Sequence, residues 1–264
     1  MKGFFTYRLK TQGYHLFLLL FVALMLVLGA AALYTPPVGG GQNQIELLRM
    51  QAPALAELLN MRMYILPGDH LIALLFGLLL PGSSIVYVFS LARKLQAEPL
   101  YTGEVLWLIS APRHKGLVVL MHYMIMLLGI LLQYALVAFA AWAARFIWPS
   151  FQVNLLPLLR VCLGAFFMMA LVSGAALLAA CLSLDGKLPR IAPWMTWLFL
   201  LVRMVANLKQ QFTLLMYVTP FSLFDPWGMA LGRQPAMLLC FIPMIAGTML
   251  ALLGALLFSR RGLS

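Results

Sequence analysis

Apolar residues run through this chain in long blocks, and polar residues mark the gaps between them. The blocks are His15–Tyr34, Leu71–Ala92, Leu117–Ala144, Leu155–Leu182, Ile191–Leu208 and Met237–Phe258. Crossing a bilayer takes about 20 predominantly apolar residues in a helix. The pattern therefore predicts six transmembrane helices in one all-α membrane domain spanning 1–264. A transmembrane β-barrel would show segments of roughly ten residues with alternating polarity, and no such pattern or internal repeat is present.

The gaps carry their own signals. Before the first block, MKGFFTYRLKTQGY mixes Phe4, Phe5 and Tyr7 with Lys2, Arg8 and Lys10, which predicts an interfacial elbow helix. The apolar core from Leu16 to Leu33 exceeds the 7–15 residues usual for a signal peptide, so an uncleaved first helix is expected. The gap Thr35–His70 opens with PPVGGGQ and continues through Ile45–Ile65, where Leu55, Leu58 and Leu59 share a helical face. Pro53 should break it into two short helices on the membrane surface. The gap Lys209–Ala236 contains YVTPFSLFDPWG. It is too apolar for a solvated loop and too interrupted by Pro220 and Pro226 to span, which fits a re-entrant or interfacial segment.

The gap between the second and third blocks is the most informative. Tyr101, Val105, Leu108 and Ile109 fall at i, i+4, i+7 and i+8, one face of a helix. Pro112 ends that helix, because a residue preceding proline is pushed out of the helical region. Glu98 and Glu104 lie toward its start, and Arg113, His114 and Lys115 follow its end, the charge order a helix dipole favours. A short amphipathic helix of this kind lies on lipid or docks in a groove of another protein, and its pattern alone leaves both open.

Composition narrows the class. The chain is 64% hydrophobic and 9% charged, far from the roughly 45–50% apolar and 25% charged of a soluble domain. The net charge of +11 comes from 18 basic residues with no long basic run, which argues against a nucleic-acid partner. Membrane lipid and the positive-inside rule account for the excess. With the N-terminus in the cytoplasm, 11 of the 18 lie inside, Arg49, Arg62, Arg145, Lys209 and Arg233 lie outside, and Arg160 and Arg203 fall within spans. A multi-pass protein of the plasma (inner) membrane with both termini cytoplasmic is expected.

Catalytic signatures do not appear. Cys162, Cys181 and Cys240 sit in apolar runs without a CxxC pair and read as small core residues. There is no GxxxxGK[ST] loop; Gly186-Lys187 is followed by Leu188. Leu171-Val172-Ser173-Gly174 lacks the first glycine of a rhomboid-type nucleophile motif, and no histidine follows His122. The seven acids are scattered and no HExxH occurs, so no metal site is expected. Met121 and Met124 fall on one helical face, His122 and Met126 on another, which argues against a copper site. Polar residues within spans are the best pointers left. Arg203, with Asn207 one turn later, lines a substrate path or pairs with an anionic group, or else snorkels toward the headgroups; Arg160 snorkels. Gln133 and His122 are expected to hydrogen-bond between helices.

The stretch GEVLWLISAPRHK, Gly103 to Lys115, resembles the inner-loop signature of type-2 permeases of ABC exporters. That signature has an acidic residue, Gly-Thr, a leucine-rich helix, Ser-x-Pro and basic residues. Glu98, Gly103, Ser110, Pro112, Arg113 and Lys115 match it, while Glu104 replaces the usual Thr and Leu106 a frequent acid. TPFSLFDPW, Thr219–Trp227, is similar to the family's Pro-Phe-Ser motif before the last helix. The resemblance implies that residues 99–111 form a coupling helix docking on a separate ABC ATPase through Tyr101, Val105, Leu108, Ile109, Pro112 and Arg113. It further implies that the ATPase binds ATP and Mg, and that this chain holds no cofactor and does no catalysis. A second copy or a related permease would complete the exporter, with the second and fifth helices lining the path. The alternatives are a secondary transporter or channel that works without an ATPase, and a membrane scaffold or immunity protein.

Overall fold

In hydrocarbon every backbone N–H and C=O must be bonded within the protein, and helices do this locally. The computed structural model describes residues 13–34, 50–58, 75–97, 115–149, 151, 153–183, 187–208 and 210–260, and every regular element among them is helical. The elbow segment, most of the first gap and the whole of 99–111 lie outside the described residues.

The helices follow the apolar blocks. They are α1 (Gly13–Tyr34), α2 (Pro53–Leu58), α3 (Leu80–Ala92), α4 (Lys115–Ile147), α5 (Leu155–Leu182), α6 (Lys187–Ala206), α7 (Pro226–Ala230), α8 (Gln234–Leu239) and α9 (Phe241–Arg260). Five helical segments are long and apolar enough to cross a membrane: α1, α4, α5, α6 and the run Gln234–Arg260 formed by α8 and α9. The second predicted span differs from a plain helix. Its α-helical part is 13 residues long, with π-helical turns on either side at Leu75–Leu79 and Arg93–Ala97. The first π turn ends just before Pro81, whose ring and missing N–H disturb the regular ladder of the preceding turn.

α5 is the centre of the bundle. It packs against α3, α4, α6, α7 and α9, and 67% of its most apolar window is buried within the chain, against 17% for α6. Gly174 and Gly247 set the α5–α9 crossing. A Cβ on Gly174 would overlap the Gly247 carbonyl oxygen, and a Cβ on Gly247 would overlap the carbonyl of Ala170. The two backbones touch, as small residues allow between membrane helices.

Polar side chains fasten α3 to α4. Gln133 donates from Nε2 to Ser83 Oγ at 2.9 Å and accepts at Oε1 from Ser84 Oγ at 2.7 Å. Tyr134 Oη lies 3.5 Å from Ser84 Oγ, and its ring stacks on Phe76 at 5.9 Å. The expectation of an interhelical role thus holds for Gln133, while His122 is buried in α4. Cys162, Cys181 and Cys240 are buried among apolar neighbours, as expected of core residues.

Two contacts fix which helix ends share a side. Lys94 Nζ lies 3.4 Å from His15 Nε2, and a Cβ on Gly116 would lie 3.0 Å from the Ala255 carbonyl oxygen. The start of α1, the end of the α3 run, the start of α4 and the end of α9 therefore meet at one end. Arg93, Lys94, Lys187, Arg190 and Arg260 belong to it, and it is called the basic end below. At the opposite end lies the gap before the last span, folded as 3₁₀ turns Gln210–Val218 and Pro220–Leu223, then α7 and α8. Phe221, Phe224, Met229 and Ala230 are buried, so this segment enters the bundle and suits the re-entrant expectation. Gly164 on α5 makes room for it: a Cβ there would overlap Met229 Sδ. The break expected at Pro53 is also present, with helical residues on both sides of Ala52.

Candidate functional site

Two places on α6 bring polar and charged side chains together. At the end away from the basic end, Thr219 and Asp225 shape the TPFSLFD turn. Thr219 Oγ1 accepts the Phe221 N–H at 3.3 Å and donates to the Phe199 carbonyl at 3.0 Å. Ser222 Oγ donates to the Thr219 carbonyl at 2.8 Å, and Asp225 caps α7 by accepting the Trp227 N–H at 3.1 Å. Prolines at 220 and 226 occupy the first turns of these helices, where a missing N–H costs nothing.

Arg203 reaches into this turn. Its Nη1 donates to the Phe221 carbonyl, and Asp225 is close enough for its charge to act on the guanidinium. A hydrogen bond from a charged donor contributes roughly 1.5–3 kcal/mol. The half-buried Arg203 thus ties α6 to the turn through a backbone carbonyl, a partner not expected from the sequence, with the Asp225 charge nearby. Asn207 lies half-exposed in the turn closing α6, its backbone N–H on the Met204 carbonyl at 3.1 Å. Arg160 lies against the turn between α7 and α8. There Gly232 has φ +69°, and a Cβ added to it would sit 2.7 Å from Arg160 Nη1.

At the basic end, α6 and α3 enclose a groove of about 360 Å³ lined by Val86, Phe89, Ser90, Arg93, Pro189, Arg190, Pro193, Trp194 and Trp197. Residues 86, 89, 90 and 93 recur at helical spacing and form one stripe of α3; 189, 190, 193, 194 and 197 do the same on α6. The helices touch at Gly82, where an added Cβ would lie 2.6 Å from the end of the Trp197 ring. Beyond that contact the groove opens toward Arg93 and Arg190, both exposed. Pro193 lies inside α6 and removes a ladder hydrogen bond on the groove side.

The positions singled out for docking, Tyr101, Val105, Leu108, Ile109, Pro112 and Arg113, lie outside the described residues. Among the described residues no cluster of three metal-ligating side chains occurs. The groove was missed in the sequence. Its α3 stripe is visible as spacing, but nothing local pairs it with α6. Comparison with protein-family models, with characterised proteins and with solved structures finds no match.

Proposed function

We propose that this chain is the transmembrane permease subunit of an ATP-driven exporter of the ABC type-2 class. The Leu75–Ala97 run would complete a set of six crossings, with both termini in the cytoplasm of a plasma membrane. The reading rests on the GEVLWLISAPRHK signature in the gap between the α3 run and α4. Two further features support it. A TPFSLFD motif precedes the last span, built as a buried turn fastened to α6 by Arg203 and Thr219. The basic residues also gather at the end of the bundle that carries that gap.

In this reading residues 99–111 form a helix whose Tyr101, Val105, Leu108 and Ile109 face docks in a separate ATPase, which holds ATP and Mg. Pro112 and Arg113 close the contact. A rigid amphipathic helix between two spans passes motion of the ATPase to both of them. Two permease chains, identical or related, enclose the path between their second and fifth helices, and cargo crosses as ATP closes the ATPases. Arg203 and Asn207 lie on the outer part of that path. A channel or secondary transporter would need no ATPase.

Co-purification from detergent extracts tests this. Burying one leucine side chain contributes roughly 1.5–3 kcal/mol, and a carboxylate in its place adds a desolvation cost. Leu108→Asp is expected to abolish recovery of the ATPase while the spans still insert. Wild-type recovery of the ATPase with Leu108→Asp would reject the coupling role.

A further inference from the structure

The groove between α3 and α6 combines two chemistries that rarely share a surface. Its floor is apolar, with Phe89 and Pro189 buried and Pro193 half-buried. Two side chains on its rim, Val86 at 55% and Trp194 at 75% exposure, face away from the bundle. Its mouth at the basic end carries Arg93 and Arg190, and among the described residues none that lines it is acidic. Guanidinium groups bind phosphate through paired N–H donors, and indole rings favour the boundary between hydrocarbon and headgroups. A volume of about 360 Å³ is at the small end for a ligand site. It suits a headgroup and the upper part of one chain, the remainder leaving sideways into the bilayer.

We propose that this groove binds an anionic phospholipid, its phosphate held by Arg93 and Arg190 and its first acyl carbons packed on Trp194, Trp197 and Val86. The charge pattern favours this occupant over a neutral lipid. The apolar lining favours it over a free anion, which would leave the exposed Val86 and Trp194 uncovered. The site stands on the geometry of α3 and α6, the second and fifth helices that the exporter reading places beside the path, and does not depend on an ATPase. Failure of the exporter reading in the Leu108→Asp experiment would leave it untouched.

Tryptophan quenching in nanodiscs tests the proposal directly. The full-length chain is placed in phosphatidylcholine discs containing increasing fractions of either brominated-chain phosphatidylglycerol or brominated-chain phosphatidylcholine. Phosphatidylglycerol should quench in excess of phosphatidylcholine, and Trp194→Phe with Trp197→Phe should remove most of that excess. Arg93→Gln and Arg190→Gln, each alone, should weaken the preference about tenfold, the loss that follows from removing one charge-assisted hydrogen bond. Val86→Phe, which fills the groove and keeps both arginines, should lower the excess as well. Arg260→Gln, at the same end but outside the groove, should leave it unchanged. Unchanged quenching by phosphatidylcholine reports that each variant is still inserted and folded.

Equal quenching by the two lipids would overturn the proposal. So would a preference reduced as much by Arg260→Gln as by the groove arginines, since that is diffuse attraction to a basic surface. Abolition of the excess by millimolar inorganic phosphate would assign the site to a free anion and reject the lipid.

Discussion

The α5–α9 pair and the α3–α6 pair solve the same packing problem in opposite ways. α5 and α9 meet backbone to backbone, Gly174 against Gly247 and Gly247 against Ala170. Where α6 crosses a glycine of α3 it does so with a side chain, the Trp197 ring over Gly82, and the two helices leave a groove toward the basic end. The first contact has no part that can give way, because a carbonyl cannot rotate out of a helix without losing its own hydrogen bond. The second is looser, because the glycine there faces the far end of a half-buried side chain rather than a backbone. α6 also contains Pro193 on the groove side, whereas α5 runs unbroken from Leu155 to Leu182 with most of its apolar window buried. One pair is a frame and the other a wall that can shift.

The sharpest way to break this contrast is to add the same methyl group to each contact. Gly174→Ala forces the α5 and α9 backbones apart and should destabilise the protein by about 3 kcal/mol or more, the upper range for overpacking. A lower thermal midpoint and loss of monodisperse protein on size exclusion would report it. Wild-type stability with Gly174→Ala would mean that the crossing is not a close one.

Next in size is the fastening of α6 at its other end. Arg203→Leu removes a charged donor from the Phe221 carbonyl and leaves the Asp225 charge without its neighbour. The expected cost is roughly 1.5–3 kcal/mol. It should be local: a thiol placed by Ser222→Cys should react faster with a maleimide in the Arg203→Leu background. Unchanged reactivity would show that the turn is held by Thr219 alone. The smallest effect belongs to Gly82→Ala. There the added methyl meets the far end of the Trp197 ring rather than a backbone, and the change should cost about 1 kcal/mol, the low end for overpacking.

The sequence made the helices legible and left their partnerships hidden. Each apolar block is a local signal, so the limits of α5 match the expected Leu155–Leu182, and those of α1, α4 and α6 differ from expectation by a few residues. Gln133 was readable too, since an amide inside a span needs a partner in a neighbouring helix, and it found Ser83 and Ser84. Arg203 stood out in the sequence as a charge inside a span. Its partner is a backbone carbonyl 18 residues on, and carbonyls carry no sequence signature. Gly174 stood out only within a failed protease motif, because the close approach of Gly247 depends on how two distant helices cross. The π turns around α3 escaped notice because hydropathy does not report helix pitch. The groove was invisible for the same reason as the crossing: each wall is an ordinary stripe, and only the pairing of α3 with α6 makes it a site.

Distances between spin labels test the frame-and-wall contrast most directly. In a chain with Cys162, Cys181 and Cys240 replaced by alanine, one label pair is placed at Ala175→Cys and Met249→Cys, exposed positions beside the α5–α9 crossing. A second pair is placed at Val86→Cys and Trp194→Cys, exposed on the two walls of the groove. Pulsed electron–electron resonance in lipid nanodiscs should give one narrow distance for the first pair and a distinctly broader distribution for the second. Equal widths, or a broader distribution at the glycine crossing, would contradict the division of the molecule into a fixed frame and an adjustable wall.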